Sequence, residues 1–359
     1  MRPQIIASAA RLGNAIETAL SALRTGRPER SPRQLRIVPY RSLGNPSRLI
    51  VRGRVVRQAT SSRIDSDGET ASHEHLVAVY RSFDLEEMPG FVIHAETDGS
   101  TGSGTTDTGG YFEIELRPPA GESEWSPGWH DALLTSPDSV SNSVASIMAD
   151  IFVPDHRANL VLVSDLDDTA MDSETLSSWR MLRTALFRSA KRRHSVPGVP
   201  ELYQALHRGL RGVSNPVCYI SSGAWNLYDI VVDYLDTHGL PRGGMYLNDW
   251  GSRQRGFRAV AHSHKSTHVA SLMNRFPALP LLLVGDDTQE DPEIYGAAAL
   301  EHPTRVAAVW IRAVRVDAAR GEAVRALQAK VVAAGVEFVY ASETDVFAEH
   351  ARLRGWIER

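Results

Sequence analysis

The chain has 359 residues, with 39 Lys and Arg against 43 Asp and Glu, 42% hydrophobic residues and a single cysteine. That length has room for two domains of ordinary size, and the composition is that of a soluble globular protein, not a disordered or fibrous one. A net charge of −4 excludes a global basic field for nucleic acid or an anionic membrane, so any anionic substrate must be held by local groups. Cys218 alone cannot form an internal disulfide, which suits a reducing cytoplasm, and no stretch reaches the roughly 18 uninterrupted apolar residues of a membrane span.

Residues 3–24 space Ile5, Ile6, Ala9, Leu12, Ile16, Leu20 and Leu23 as one face of a helix. The apolar residues are spaced rather than consecutive, so this is no secretory signal. Its polar face is not strongly cationic, and docking on its own protein is expected over lipid. Gly26 to Arg33 reads as a linker, which sets off residues 1–34 from the rest of the chain.

Residues 35–155 read as a small antiparallel β-sandwich. Short β-like runs at Leu49–Val56, His75–Tyr80, Phe91–Ala95 and Tyr111–Leu116 are separated by turn-rich segments. Asp98 to Asp107 is so rich in Gly, Ser and Thr that an exposed, mobile loop is expected. Gly102-Ser103-Gly104 lacks the Lys and the helix that follow a phosphate loop. Trp125 and Trp129 are expected to pack.

Residues 156–359 alternate buried strands with helices. The apolar runs Leu160–Val163, Val217–Ile220, Gly244–Leu247, Leu281–Val284 and Val306–Ile311 are strands of the kind buried on both faces. Helices are expected at 176–188, 201–208, 227–237, 267–276 and 319–334, with a last one closing the chain. Such alternation predicts a doubly wound, mainly parallel α/β sheet.

Three of these strands end in residues suited to phosphoryl transfer. The first leads into Asp165-Leu166-Asp167-Asp168-Thr169, whose neighbouring carboxylates repel one another and lose solvation. A hard cation such as Mg²⁺ relieves both costs, although an acidic loop capping a helix fits this stretch equally well on its own. The second ends in Ser221-Ser222-Gly223, with hydroxyl and backbone N–H groups for phosphate oxygens. The fourth ends in Gly285-Asp286, followed by Asp291. Lys265, before a helix, is a point cation for phosphate charge. His262, His264 and His268 invite a zinc reading, since His264 and His268 lie one helical turn apart, but the acids already supply an oxygen-rich cation site.

In order and spelling these motifs resemble the haloacid dehalogenase (HAD) superfamily of phosphatases. Within it, Ser164–Thr169, Pro197-Gly198-Val199, Tyr219–Tyr228, His264-Lys265 and Asp291–Tyr295 resemble the catalytic domain of the actin-patch phosphatidate phosphatase family, relatives of the lipins, over about residues 155–315. The resemblance implies Asp165 as nucleophile forming an aspartyl-phosphate and Asp167 as general acid and base. It implies Ser221, Ser222 and Lys265 as phosphate-binding residues, and Mg²⁺ held by Asp165, Asp167, Asp286 and Asp291. The chain departs from the family's spelling with Gly223-Ala224 and with Asp287-Thr288, and the extra carboxylate at Asp287 is expected to bear on metal preference or substrate approach.

The substrate so implied is phosphatidate, cleaved to diacylglycerol and phosphate by a cytoplasmic enzyme. Arg183, Arg188, Lys191, Arg192, Arg193 and His194 are placed to touch anionic head groups in peripheral membrane contact, and a solvated helix explains the same charges. Two alternatives stay open: a phosphatase of another large phosphomonoester, such as a phosphoprotein or nucleic-acid end, and a non-catalytic lipid- or partner-binding protein.

Overall fold

A computed structural model describes residues 33–59, 85–138, 143–166, 196–225, 228–248 and 257–358. The helix expected at 3–24, the strand at 75–80, the residues Asp167, Asp168 and Thr169, and the basic insert 176–194 lie outside these residues.

The first half carries nine strands among the described residues: β1 (Arg33–Tyr40), β2 (Ser42–Leu43), β3 (Leu49–Ala59), β4 (Leu85–Glu87), β5 (Val92–Thr97), β6 (Ser100–Thr105), β7 (Tyr111–Leu116), β8 (Gly128–Asp138) and β9 (Ser143–Val153). The long β3 pairs with β1, β4 and β7, and a second sheet runs β2-β9-β8-β5-β6. All pairings are antiparallel except the two-residue β2, which lies parallel to β9. Alternation places Phe112, Ile114 and Leu116 of β7 inward, where they share one core with Ile93, Leu134 and Ile151 of the second sheet. Trp125 belongs to that core, and Trp129 packs on Phe152.

Residues Asp98 to Asp107 are not the loop their composition predicts. β6 runs through them and pairs residue for residue with β5. A Cβ on Gly102 would lie 2.7 Å from Leu116, and one on Gly104 2.9 Å from Ile114. Glycine is present because β6 presses against the side chains of β7, a packing reason rather than a flexibility one.

The second half holds a six-stranded parallel sheet. Its strands are β10 (Val161–Asp165), β11 (Val217–Ala224), β12 (Gly244–Asn248), β13 (Leu281–Asp286), β14 (Val306–Arg312) and β15 (Glu337–Ala341), in the order β12-β11-β10-β13-β14-β15. The helices are α1 (Val199–Arg208), α2 (Tyr228–Thr237), α3 (Phe257–Arg275), α4 (Asp291–Glu301), α5 (Ala318–Ala333) and α6 (Thr344–Leu353). Leu160 and Leu162 point to one cluster, with residues of α1, α2 and α6. Val161 and Val163 point to the other, with residues of α3, α4 and α5. Burial on both faces is the reason these strands are unbroken apolar runs.

The order of the strands in space reverses around β10, whose neighbours are β11 and β13. The connection leaving β10 runs to β11 on one side and that leaving β13 runs to β14 on the other, so the carboxyl ends of β10 and β13 flank the switch point at which open α/β sheets bind ligands. At the sheet's other limit the edge strand β12 is covered: Met245 N donates to Arg41 O, and Leu43 packs where a Cβ on Gly244 would stand, 2.6 Å away. No helix among the described residues is long and apolar enough to cross a membrane.

Candidate active site

Asp165 is the last residue of β10 and Asp286 the last of β13, adjoining parallel strands, so their side chains emerge at one edge. Asp291 is the first residue of α4, which turns back over that edge. The three carboxylates are buried, and each offers an oxygen within 4.8 Å of the others. Lys265 enters from α3. It lies inside that helix, where the sequence places it ahead of one, and only 2% of its surface is exposed.

The lysine ammonium bridges two of the acids, 2.8 Å from Asp165 Oδ1 and 2.5 Å from Asp291 Oδ1. Burial works against its charge, but the two carboxylates outweigh it and hold the pKa well above the ordinary lysine value. Asp286 Oδ1 accepts from Thr288 N at 2.6 Å and Thr288 Oγ1 at 2.5 Å. Even so, burial and the charge of Asp291 push the Asp286 carboxyl up to about 7. Three acids against one ammonium leave an excess of negative charge, which one divalent cation offsets.

Close packing holds this group. A Cβ on Gly285 would stand 2.5 Å from Asp291 Oδ2 and 2.8 Å from Tyr295 Cε2, so the glycine is what lets α4 press against the end of β13. The Tyr295 hydroxyl is buried with no hydrogen-bond partner among the described residues. Beneath Asp165, Ser164 Oγ donates to Asp165 O at 2.6 Å and meets Tyr203 Oη at 2.7 Å. Sequence reasoning assigns Tyr203 no role; the only signal is a serine in an otherwise apolar strand.

Ser221 is buried one residue past Ile220, the partner of Asp165 across the β10–β11 ladder. The β11–β12 register breaks between Ile220 and Ala224, so Ser221, Ser222 and Gly223 bulge from the sheet. Asp167 and the side chain of Ser222 lie outside what the structure describes.

Asp287 does not join the cation group. Its Oδ1 accepts from Val314 N and Arg315 N, both at 2.9 Å, and its Oδ2 from Tyr340 Oη at 2.7 Å. The carboxylate that the sequence offers as a modifier of metal preference instead pins the loop after β14. Replacing Asp287 with Ala should cost about 1–3 kcal/mol of stability, from the loss of three hydrogen bonds to a buried carboxylate, with magnesium affinity unchanged. Thermal denaturation and a magnesium titration of the same variant check both halves of that expectation.

The histidine pair is also accounted for. His264 Nε2 is 3.1 Å from Leu247 O and 3.0 Å from His268 Nε2. Two ring nitrogens in hydrogen-bond contact share one proton. Burial lowers His264 to about 4 and, together with His264 itself, His268 to about 2, so both are neutral. Among the described residues neither histidine joins a group of three possible metal ligands, and the side chain of His262 lies outside what the structure describes.

These features define an α/β domain with a buried acid–lysine centre at the carboxyl edge of a parallel sheet. Residues 160–313 match the family model described as phosphatidate phosphatase APP1, catalytic domain. Phosphatidate phosphatase APP1 of Saccharomyces cerevisiae is 24% identical over 218 residues, 60% of this chain and 35% of the yeast protein. An uncharacterized protein of Schizosaccharomyces pombe is 21% identical over 213 residues, 59% of this chain and 34% of its own length. The match thus spans about a third of the length of these curated relatives. Among solved structures, the PilB minor pilin of Streptococcus sanguinis aligns over 75% of this chain and 88% of its own at 8% identity, with a TM-score of 0.29, too low to inform the fold.

Proposed function

We propose that the chain is a Mg²⁺-dependent phosphomonoesterase that works through an aspartyl-phosphate on Asp165, with phosphatidate as substrate and diacylglycerol and inorganic phosphate as products. The observation that carries this reading is the convergence of Asp165, Asp286, Asp291 and Lys265 in one buried group. The substrate rests on similarity to a protein named as a phosphatidate phosphatase. In this reading the parallel sheet is the doubly wound sheet of a HAD phosphatase over 156–359. The β-sandwich over 35–155 and the segment 1–34 precede it, in a cytoplasmic protein that meets the membrane peripherally.

The residues fit a magnesium ion. All the donors are carboxylate oxygens, the group is buried, and Asp286 is pushed upward as an acid short of countercharge is. Asp165, Asp286 and Asp291, with Asp167, would hold the ion, which when bound supplies positive charge against the repulsion between a carboxylate nucleophile and a phosphate.

The chain's own residues carry the bond changes. A carboxylate oxygen of Asp165 attacks phosphorus, forming an O–P bond as the bond to the lipid alkoxide breaks, and Asp167 gives that alkoxide a proton. Asp167 next takes a proton from water, whose oxygen attacks phosphorus and releases Asp165. Lys265, already 2.8 Å from Asp165, reaches the oxygens of a phosphoryl group carried there, and Ser221 and Ser222 are the further residues that would hold them.

The test is phosphate release from phosphatidate vesicles, compared with p-nitrophenyl phosphate, with magnesium and with chelator. Release from vesicles that stops on chelation is expected. Release from the soluble ester alone would move the substrate elsewhere, and release from neither would end the hydrolase reading.

A further inference from the structure

The Ser221–Gly223 bulge is held at both ends by the N-terminal half of the chain. At its near end Ile220 pairs with Tyr246, and at its far end Ala224, paired with Asn248, leads directly into Trp225. Tyr40, the last residue of β1, stacks on Trp225 with ring centroids 3.7 Å apart and planes 12° from parallel. The Arg52 guanidinium of β3 lies 4.4 Å from the centre of the Tyr246 ring and 5.8 Å from that of Trp225, so one planar cation spans both ends of the bulge. Glu113, 3.5 Å away, fixes its other side. Both contacts come from more than 170 residues away in sequence, across the seam between the two halves.

We propose that Arg52 and Tyr40 are positioning residues for the phosphate-binding bulge: the N-terminal half sets where Ser221 stands and is part of the catalytic apparatus, not a separable appendage. The inference rests on the reading of Ser221 as a phosphate-holding residue. A bulge interrupts the ladder locally, so the groups packed at its two ends bear on its geometry. Stacked aromatic and cation–π contacts are the kind of anchor that resists both sliding and tilting. Displacement of an oxyanion-holding group by about 1 Å is worth up to about 100-fold in rate.

Other contacts on the same seam supply a control. Arg242 pairs with Asp150 and lies 4.4 Å from the Trp129 ring centre, joining the two halves without touching the bulge. In the full-length protein with magnesium, Tyr40→Ala and Arg52→Ala should lower kcat on p-nitrophenyl phosphate by about tenfold or more and weaken binding of inorganic phosphate. Tyr40→Phe keeps the stack and should restore both. Arg242→Ala should lose thermal stability while keeping wild-type kcat and phosphate affinity. Arg52→Lys, which keeps the charge and removes the planar stack, decides the matter where an alanine variant does not fold, and wild-type behaviour there overturns the proposal. So does an equal loss in Arg242→Ala. A wild-type chain that binds inorganic phosphate but hydrolyses no ester refutes the hydrolase reading alone, since the pattern of affinities still tests the clamp. Absence of phosphate binding in the wild type refutes both.

Discussion

Asp165→Asn should reduce phosphate release by at least about 10⁴-fold, with folding intact. The amide is nearly isosteric with the carboxylate, so the packing at the end of β10 is undisturbed, and Lys265 keeps its contact with Asp291. What is lost is the charged nucleophile. Because the change also removes one of three crowded carboxylates, the metal-free variant should unfold at the same temperature as the wild type or slightly above it. Acid-quenched protein should carry no covalent phosphate from labelled substrate. Circular dichroism, thermal denaturation and steady-state kinetics on one preparation are sufficient. Near-normal turnover with an unchanged spectrum would remove Asp165 from the nucleophile's role and leave the acid cluster a structural site.

How far the sequence carries depends on whether a feature is local. Leu160–Val163 and Leu281–Val284 announce their strands because both faces of the sheet are covered, which forces every position to be apolar. β6 does not announce itself, because its Gly, Ser and Thr are selected by the side chains of β7. β8 and β9 escape a reading of the sequence for a related reason: their inward residues include the small Ala132 and Ala149, so little alternation reaches the sequence. Helix α4 hides because Ile294, Tyr295 and Gly296 are all buried, with Leu327 filling the space over the glycine, and no polar face marks a period. In each case the constraint lies in a partner far along the chain.

The site divides in the same way. Asp165, Lys265, Asp286 and Asp291 are legible because each is a charge beside an apolar strand or in a recurring motif, and the structure brings these four together. Their pairings are not legible. Nothing local says that Lys265 lies between Asp165 and Asp291 rather than facing solvent, that Asp287 turns away to hold Val314, Arg315 and Tyr340, or that Arg52 reaches Trp225. Charge identity is a sequence property, but charge partnership is decided by which strands lie side by side.

Lys265→Met tests that partnership most severely. The lysine is buried against two carboxylates, and methionine fills a similar volume without the charge. Breaking a buried pair by removing one member costs about 3–5 kcal/mol, which at this size corresponds to a fall of roughly 10 °C in Tm for metal-free protein at pH 7.5. The pH dependence has a definite sign. Without the ammonium, the folded-state pKa of the remaining carboxyls rises above the unfolded value, as Asp286 already does. The folded state then binds more protons than the unfolded, and stability falls as pH rises through that interval. The deficit should therefore shrink towards pH 5.5. Magnesium, binding only the folded form, should restore more Tm to the variant than it adds to the wild type. Turnover should stay lower by about 10²–10³-fold even at saturating magnesium, because the ion does not replace the ammonium beside the transferring oxygens. A metal-free variant as stable as the wild type at pH 7.5, with no gain on acidification, would show that the three acids do not depend on Lys265 for their charge balance.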